Sequence, residues 1–135
     1  MFKLSRKIEY GLMTVKFLID QKKALSTREI SDHLQIPFDT TAKILQQLNQ
    51  KNVVDAEKGL HGGYVLKESI ESLNFFDFCD ILEKDNLLRS CDQGPCELKG
   101  PCTISKPFKQ LNELFVKTFS KVLVIDLLAG KKMKY

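Results

Sequence analysis

A chain of 135 residues, 43% of them hydrophobic, can bury one respectable core but not two independent ones. Its 21 Lys and Arg against 17 Asp and Glu leave a net charge of +4, which permits contact with a phosphate backbone without requiring it. The opening Phe2-Lys3-Leu4-Ser5-Arg6-Lys7-Ile8-Glu9 carries charges where a signal peptide needs an apolar run, and no apolar stretch of about 18 residues follows. A cytoplasmic protein with no membrane partner is the expectation, and in that compartment its four cysteines are thiols rather than disulfides.

Ile8, Leu12, Val15, Phe17, Leu18 and Ile19 recur at helical intervals and predict a first helix over about residues 5 to 21. Ser26 followed three positions later by Glu29 is a capping-box pattern, and a short helix over about 27 to 34 should follow it. Gln35-Ile36-Pro37 breaks that helix. Asp39 and Thr40 then offer caps for a further helix over about 39 to 50, with Ala42, Ile44, Leu45 and Leu48 facing inward. Two helices joined by three or four residues make a helix-turn-helix, whose second member enters the major groove of DNA.

Val53 and Val54 favour a strand, Lys58-Gly59-Leu60-His61-Gly62-Gly63 is a turn, and Tyr64-Val65-Leu66 is a returning strand. A hairpin immediately after a recognition helix is a wing, and its glycines would let the loop approach phosphates closely. Leu73, Phe75, Phe76, Phe78, Cys79, Ile81 and Leu82 predict a helix over about 73 to 84 that packs on the domain, with Cys79 as a buried structural thiol. Residues 85–106 lose periodicity and contain Gly94-Pro95 and Gly100-Pro101. From Pro107, a stripe of Phe108, Leu111, Phe115, Phe119, Val122 and Ile125 predicts one helix of about 22 residues, too long to bury its apolar surface against a small domain alone. Pairing with the same helix of a second chain would cover it.

The expected fold is therefore mainly α with a small β wing: a winged helix-turn-helix over residues 1–84, a cysteine-containing loop over 85–106, and a dimerisation helix with a basic tail over 107–135. On the recognition helix, Thr40, Thr41 and Gln47 are candidates for base edges, Lys43 for phosphate or guanine, and Asp39 lies near the groove. Ser26, Thr27 and Arg28 begin the supporting helix, where hydroxyls and backbone N–H groups can position a phosphate, although Ser26 equally serves as a plain cap. Lys58 and His61 are the wing candidates. His33 is expected to be an ordinary, partly exposed helical residue. No nucleophile–base pair or phosphate loop is visible, so no enzymatic activity is expected.

Cys91, Cys96 and Cys102 form the sharpest constellation, with the spacing Cys91-x4-Cys96-x5-Cys102. Thiolates are soft ligands suited to an iron-sulfur cluster, and the two Gly-Pro pairs would let the loop turn its sulfurs toward one centre. Zinc could use the same three sulfurs with one further ligand.

From Leu4-Ser5 and Glu9-Tyr10-Gly11-Leu12, through the helix-turn-helix and Gly62-Gly63-Tyr64-Val65-Leu66, to the cysteine loop and last helix, nearly the whole chain resembles the Rrf2 family of bacterial transcriptional regulators. The resemblance implies a homodimer on a double-stranded operator with two-fold related half-sites, and several such regulators hold an iron-sulfur cluster. The cluster-binding members usually have a slightly longer first cysteine gap. Their nitric-oxide-sensing branch has an acidic residue in an Asp-Tyr-Gly stretch that reaches the partner's cluster, which points to Glu9 as the fourth ligand here. The cluster-biogenesis branch instead uses a histidine where this chain has Ser105. The resemblance thus favours a redox-, nitric-oxide- or iron-responsive regulator, with 4Fe-4S ahead of 2Fe-2S. The alternatives are a cluster-free family regulator governed by a small molecule or protein partner, and a noncatalytic iron-sulfur interaction protein.

Overall fold

The computed structural model describes residues 3–84 and 95–133. Six α-helices and one two-stranded hairpin are present among them. Helix α1 spans Arg6–Gln21, with the Ser5 hydroxyl accepting from the Ile8 N–H at its start. Ile8, Gly11, Val15 and Leu18 repeat every three or four residues and point into the core. Helix α2 (Thr27–Leu34) begins with the full capping box: Glu29 N–H donates to the Ser26 hydroxyl at 3.1 Å, and Ser26 N–H donates to the Glu29 carboxylate at 2.7 Å.

The turn into α3 (Phe38–Gln50) is built by the chain itself. Gln35 takes a left-handed backbone, and the buried Ser31 hydroxyl donates to the Ile36 carbonyl at 2.6 Å. Pro37, rather than Asp39 or Thr40, occupies the cap, because its carbonyl receives both the N–H and the hydroxyl of Thr41 at 3.0 Å. Ile44, Leu45 and Leu48 of α3 are fully buried against α1 and α2.

Strands β1 (Val54–Glu57) and β2 (Gly63–Leu66) pair antiparallel with Val54 opposite Leu66 and Glu57 opposite Gly63. The hairpin is fastened to the segment before α2 by two backbone hydrogen bonds: Tyr64 N–H to Leu25 O at 2.7 Å and Leu25 N–H to Tyr64 O at 3.0 Å. Gly63 sits where this crossing is tightest, since a Cβ there would overlap the Leu25 carbonyl group. The glycine pair thus serves a close approach inside the protein, a use that differs from the phosphate clearance expected of it.

A 3₁₀ turn at Glu68–Ser72 precedes α4 (Phe75–Leu82), which Asn74 caps by accepting from Asp77 N–H at 2.8 Å. Phe78, Cys79 and Leu82 are buried, and α4 lies so close to α1 that a Cβ on Gly11 would overlap the Leu82 side chain. This explains why a glycine stands on the buried face of α1, where it costs about 1 kcal/mol of helix propensity.

The C-terminal region departs from the expected single helix of about 22 residues. Helix α5 runs from Ser105 to Phe119 and stops; α6 spans Val124–Leu128. Between them Val122 O accepts from Phe75 N–H at 2.7 Å, and Val124 N–H donates to Leu73 O at 2.9 Å, so the backbone leaves the helix to pair with the entry of α4. Val124 has no exposed surface and belongs to the same core as Ile8 and Phe78. Helix α6 thus packs into the same core as the N-terminal helices. None of the helices among the described residues is long and apolar enough to cross a membrane.

Candidate nucleic-acid interface

Helix α3 presents Asp39, Lys43, Gln46, Asn49 and Gln50 to solvent. Asp39, Lys43, Gln46 and Gln50 follow one another at spacings of four, three and four, and so form one stripe on the side opposite Ile44, Leu45 and Leu48. Gln46, three residues after Lys43, is a further member of this face that polar-candidate reading of the sequence does not single out. Thr40 is half-buried at the edge of the stripe.

Two residues expected at base edges are turned inward. Thr41 has no exposed surface, and its hydroxyl is committed to the Pro37 carbonyl. Gln47 is half-buried and reaches 34–35 residues along the chain, its Nε2 donating to Leu82 O at 3.3 Å and Ile81 O at 3.5 Å. In this structure the Thr41 hydroxyl and the Gln47 amide nitrogen are thus engaged by internal carbonyls rather than presented to the groove.

Around α3 the remaining candidates fall on the surface. Arg28 is exposed at the start of α2, its guanidinium 4.6 Å from the centre of the Phe38 ring, which fixes a cation beside the first turn of the recognition helix. Thr27 is half-buried next to it. Ser26 is occupied as the cap on both its N–H and its hydroxyl, as the capping alternative anticipated. The Ser26 backbone bond, followed by the Ser26 side chain, holds the Glu29 carboxyl below its ordinary range. On the wing, Lys58 and His61 are exposed on either side of Leu60, whose surface is entirely open. His33 is an exposed helical residue stacked on Phe17 at 4.2 Å between ring centres.

The cysteines divide by environment. Cys79 is buried in α4, and its thiol is pushed up to about 12 by burial and secondarily by the charge of Glu83, so it stays protonated and inert. Cys96 is exposed and Cys102 half-buried, both free thiols, in a tight turn where Cys102 N–H donates to Leu98 O at 2.8 Å. Cys91 lies outside the described residues. Glu9 sits on α1 with 38% of its side chain exposed and pairs with Arg6 at 3.2 Å. Among the described residues, no three His, Cys, Asp or Glu side chains gather around a common point.

Residues 4–130 match the model of a family described as an iron-dependent transcriptional regulator, Rrf2. The chain belongs to the Rrf2 family. The match runs from Leu4, before α1, to Gly130, after α6, so the Rrf2 unit includes the C-terminal segments that fold back on the helix-turn-helix. The HTH-type transcriptional repressor NsrR of Streptomyces coelicolor is 27% identical over 121 residues, covering 89% of this chain and 82% of its own. The regulator NsrR of Oceanobacillus iheyensis is 23% identical over 134 residues, covering 96% and 91%. In fold, this Rrf2 chain resembles CymR of B. subtilis, described as its global cysteine regulator, with a TM-score of 0.72, 20% identity and coverage of 98% and 100%. IscR of T. potens gives a TM-score of 0.69 at 15% identity, covering 98% and 93%. This protein is thus a DNA-binding transcriptional regulator of the Rrf2 family with a winged-helix fold.

Proposed function

We propose that the chain acts as a homodimer whose affinity for a two-fold related operator is set by an iron-sulfur cluster responding to redox state, nitric oxide or iron supply. The supporting observation is the contrast between its thiols: Cys79 is sealed in the core, whereas Cys96 and Cys102 are accessible and free in the segment that joins the DNA-reading head to α5. Those donors fit a cluster chemically, since accessible thiolates are its ordinary ligands. Cys91, Cys96 and Cys102 would hold it, with Glu9 of the second chain as the oxygen donor, and 4Fe-4S is favoured over 2Fe-2S. A bound cluster would supply a redox- and nitric-oxide-reactive centre.

Reading of the operator would fall to Lys43, Thr40 and Gln46 on α3, with Asp39 at its first turn. Thr27 and Arg28 would hold phosphate near α2, and Lys58 and His61 would hold it at the wing. The dimer would close over α5, none of whose residues is fully buried and where Leu111 and Leu114 are 41% and 60% exposed. Covering each of these leucines would contribute about 1–2 kcal/mol.

Anaerobic reconstitution with iron and sulfide, followed by iron, sulfide and absorbance measurements during a titration with duplex recovered from a random pool, tests the whole assignment. Cluster-dependent affinity supports it; a protein that takes up no iron and sulfide, or whose affinity is the same with and without them, refutes it. A cluster-free regulator governed by a small molecule or partner protein is the second reading, favoured by the pairing of Glu9 with Arg6 within one chain. Sedimentation should give a dimer that Leu114→Asp converts to monomer; a wild-type monomer at micromolar concentration would remove the two-fold operator from the scheme.

A further inference from the structure

The turn between α2 and α3 leaves one large apolar side chain outside the core. Ile36 is buried and closes the interior there, whereas Phe38, the first residue of α3, keeps 40% of its surface exposed. A cation lies on its ring: the Arg28 guanidinium sits over it, 4.6 Å from the centre. Arg28 has Asp32 one turn further along α2, at the spacing of an ordinary helical ion pair, yet it crosses the turn to the ring instead.

That choice of partner has a chemical consequence. An arginine paired with a carboxylate spends its N–H groups on that partner. One held over an aromatic ring is attracted through the ring's quadrupole and keeps its N–H groups for another acceptor. Among the described residues, no oxygen accepts from the Arg28 side chain. The guanidinium is therefore fixed in place with its donors unspent.

The rest of the ring adjoins the operator-facing stripe, which Asp39 begins one residue later. Ala42, four residues on and on the same side of α3, adds only a methyl group beside it. The first turn of a recognition helix lies where base edges are read, and the apolar group that a base presents in the major groove is the 5-methyl of thymine.

We infer that Phe38 is a specificity-determining residue, which packs on a thymine methyl while holding the Arg28 guanidinium toward the neighbouring phosphate. This role rests on the placement of α3 in the major groove proposed above and is independent of any cluster.

The test uses the full chain and a duplex recovered from a random pool, in whichever form, metal-free or reconstituted, selected that duplex. Each thymine is replaced in turn by uracil, which deletes the methyl alone, and affinity is measured by fluorescence anisotropy for wild type and Phe38→Ala. In wild type, uracil at one position of a half-site should weaken binding about fourfold, the loss of one buried methyl. In Phe38→Ala the same replacement should change nothing. Arg28→Ala should cost about threefold less in the Phe38→Ala background than in wild type, and Phe38→Tyr, which keeps the aromatic face, should restore its full cost. A urea midpoint of Phe38→Ala within about 0.5 M of wild type shows that these losses are not unfolding.

Uracil sensitivity that is absent from wild type or unchanged in Phe38→Ala, or an Arg28→Ala cost that is equal in the two backgrounds, overturns the role of Phe38. If Lys43→Ala and Phe38→Ala both bind as wild type does, α3 does not occupy the groove, and the operator reading falls with it. If Lys43→Ala weakens binding and Phe38→Ala does not, the operator reading stands and only the role of Phe38 is lost.

Discussion

Replacing Gly63 with alanine tests how firmly the wing is tied to the helix-turn-helix. The residue has φ of +151°, a backbone region that side-chain-bearing residues occupy at a cost of about 1–3 kcal/mol. An added Cβ would also overlap the Leu25 carbonyl, and the atoms it meets are backbone, which cannot swing aside. The chain has two ways out. It can keep the hairpin seated and carry the strain, or it can lift the wing and give up the two Leu25–Tyr64 hydrogen bonds, each contributing about 1 kcal/mol, together with part of the burial of Leu25. Either route destabilises the fold by about 3 kcal/mol. With a urea slope of about 2 kcal/mol per molar, the unfolding midpoint should fall by about 1.5 M at unchanged slope. Urea titration followed by circular dichroism measures this directly. A midpoint within about 0.3 M of wild type would show that the crossing is loose and that the wing is not rigidly placed.

Other perturbations have equally definite outcomes. Ser26→Ala removes the hydroxyl half of the α2 capping box and should cost about 1 kcal/mol in urea unfolding, whereas Thr27→Ala next to it should cost less than half as much. Lys43→Ala should weaken duplex binding and lower the slope of log affinity against log salt by about 0.9, measured by fluorescence anisotropy; an unchanged slope would place Lys43 off the phosphates. Burial raises the Cys79 thiol from near 9 to about 12, so the unfolded chain ionises first as pH rises. The stability that Cys79 contributes is therefore complete below pH 9 and is lost between pH 9 and 12, at up to about 1.4 kcal/mol per unit. Cys79→Ala should flatten that part of the pH–stability curve; identical slopes for the two proteins would refute a buried thiol. Iodoacetamide at pH 8 should label Cys96 and Cys102 in the folded protein and reach Cys79 only in urea.

Local chemistry made the N-terminal half legible. The Ser26 and Glu29 pair announces the start of α2 because a capping box needs only a fixed spacing, and the spacing of Ile8, Val15 and Leu18 announces the buried face of α1. The break at Ser120–Leu123 had no such announcement. No proline or glycine marks it, and the apolar stripe passes through it without a change of period. What ends α5 is the backbone of Leu73 and Phe75, about fifty residues away in the chain, which offers Val122 and Val124 better partners than another helical turn. The same limit governed Gln47. Its polar character suggested the groove, and only the arrival of the α4 terminus shows where its donors go.

Because Val124 closes the core that Ile8 and Phe78 begin, α5 is neither an appendage nor a tether's free end. Its C-terminal end is fixed to that core through Val122 and Val124, so α5 is attached as a handle is to one tool. Whatever grips that handle steers the operator-facing surface with it. Cutting the chain after residue 84 should yield an unfolded fragment rather than a smaller regulator.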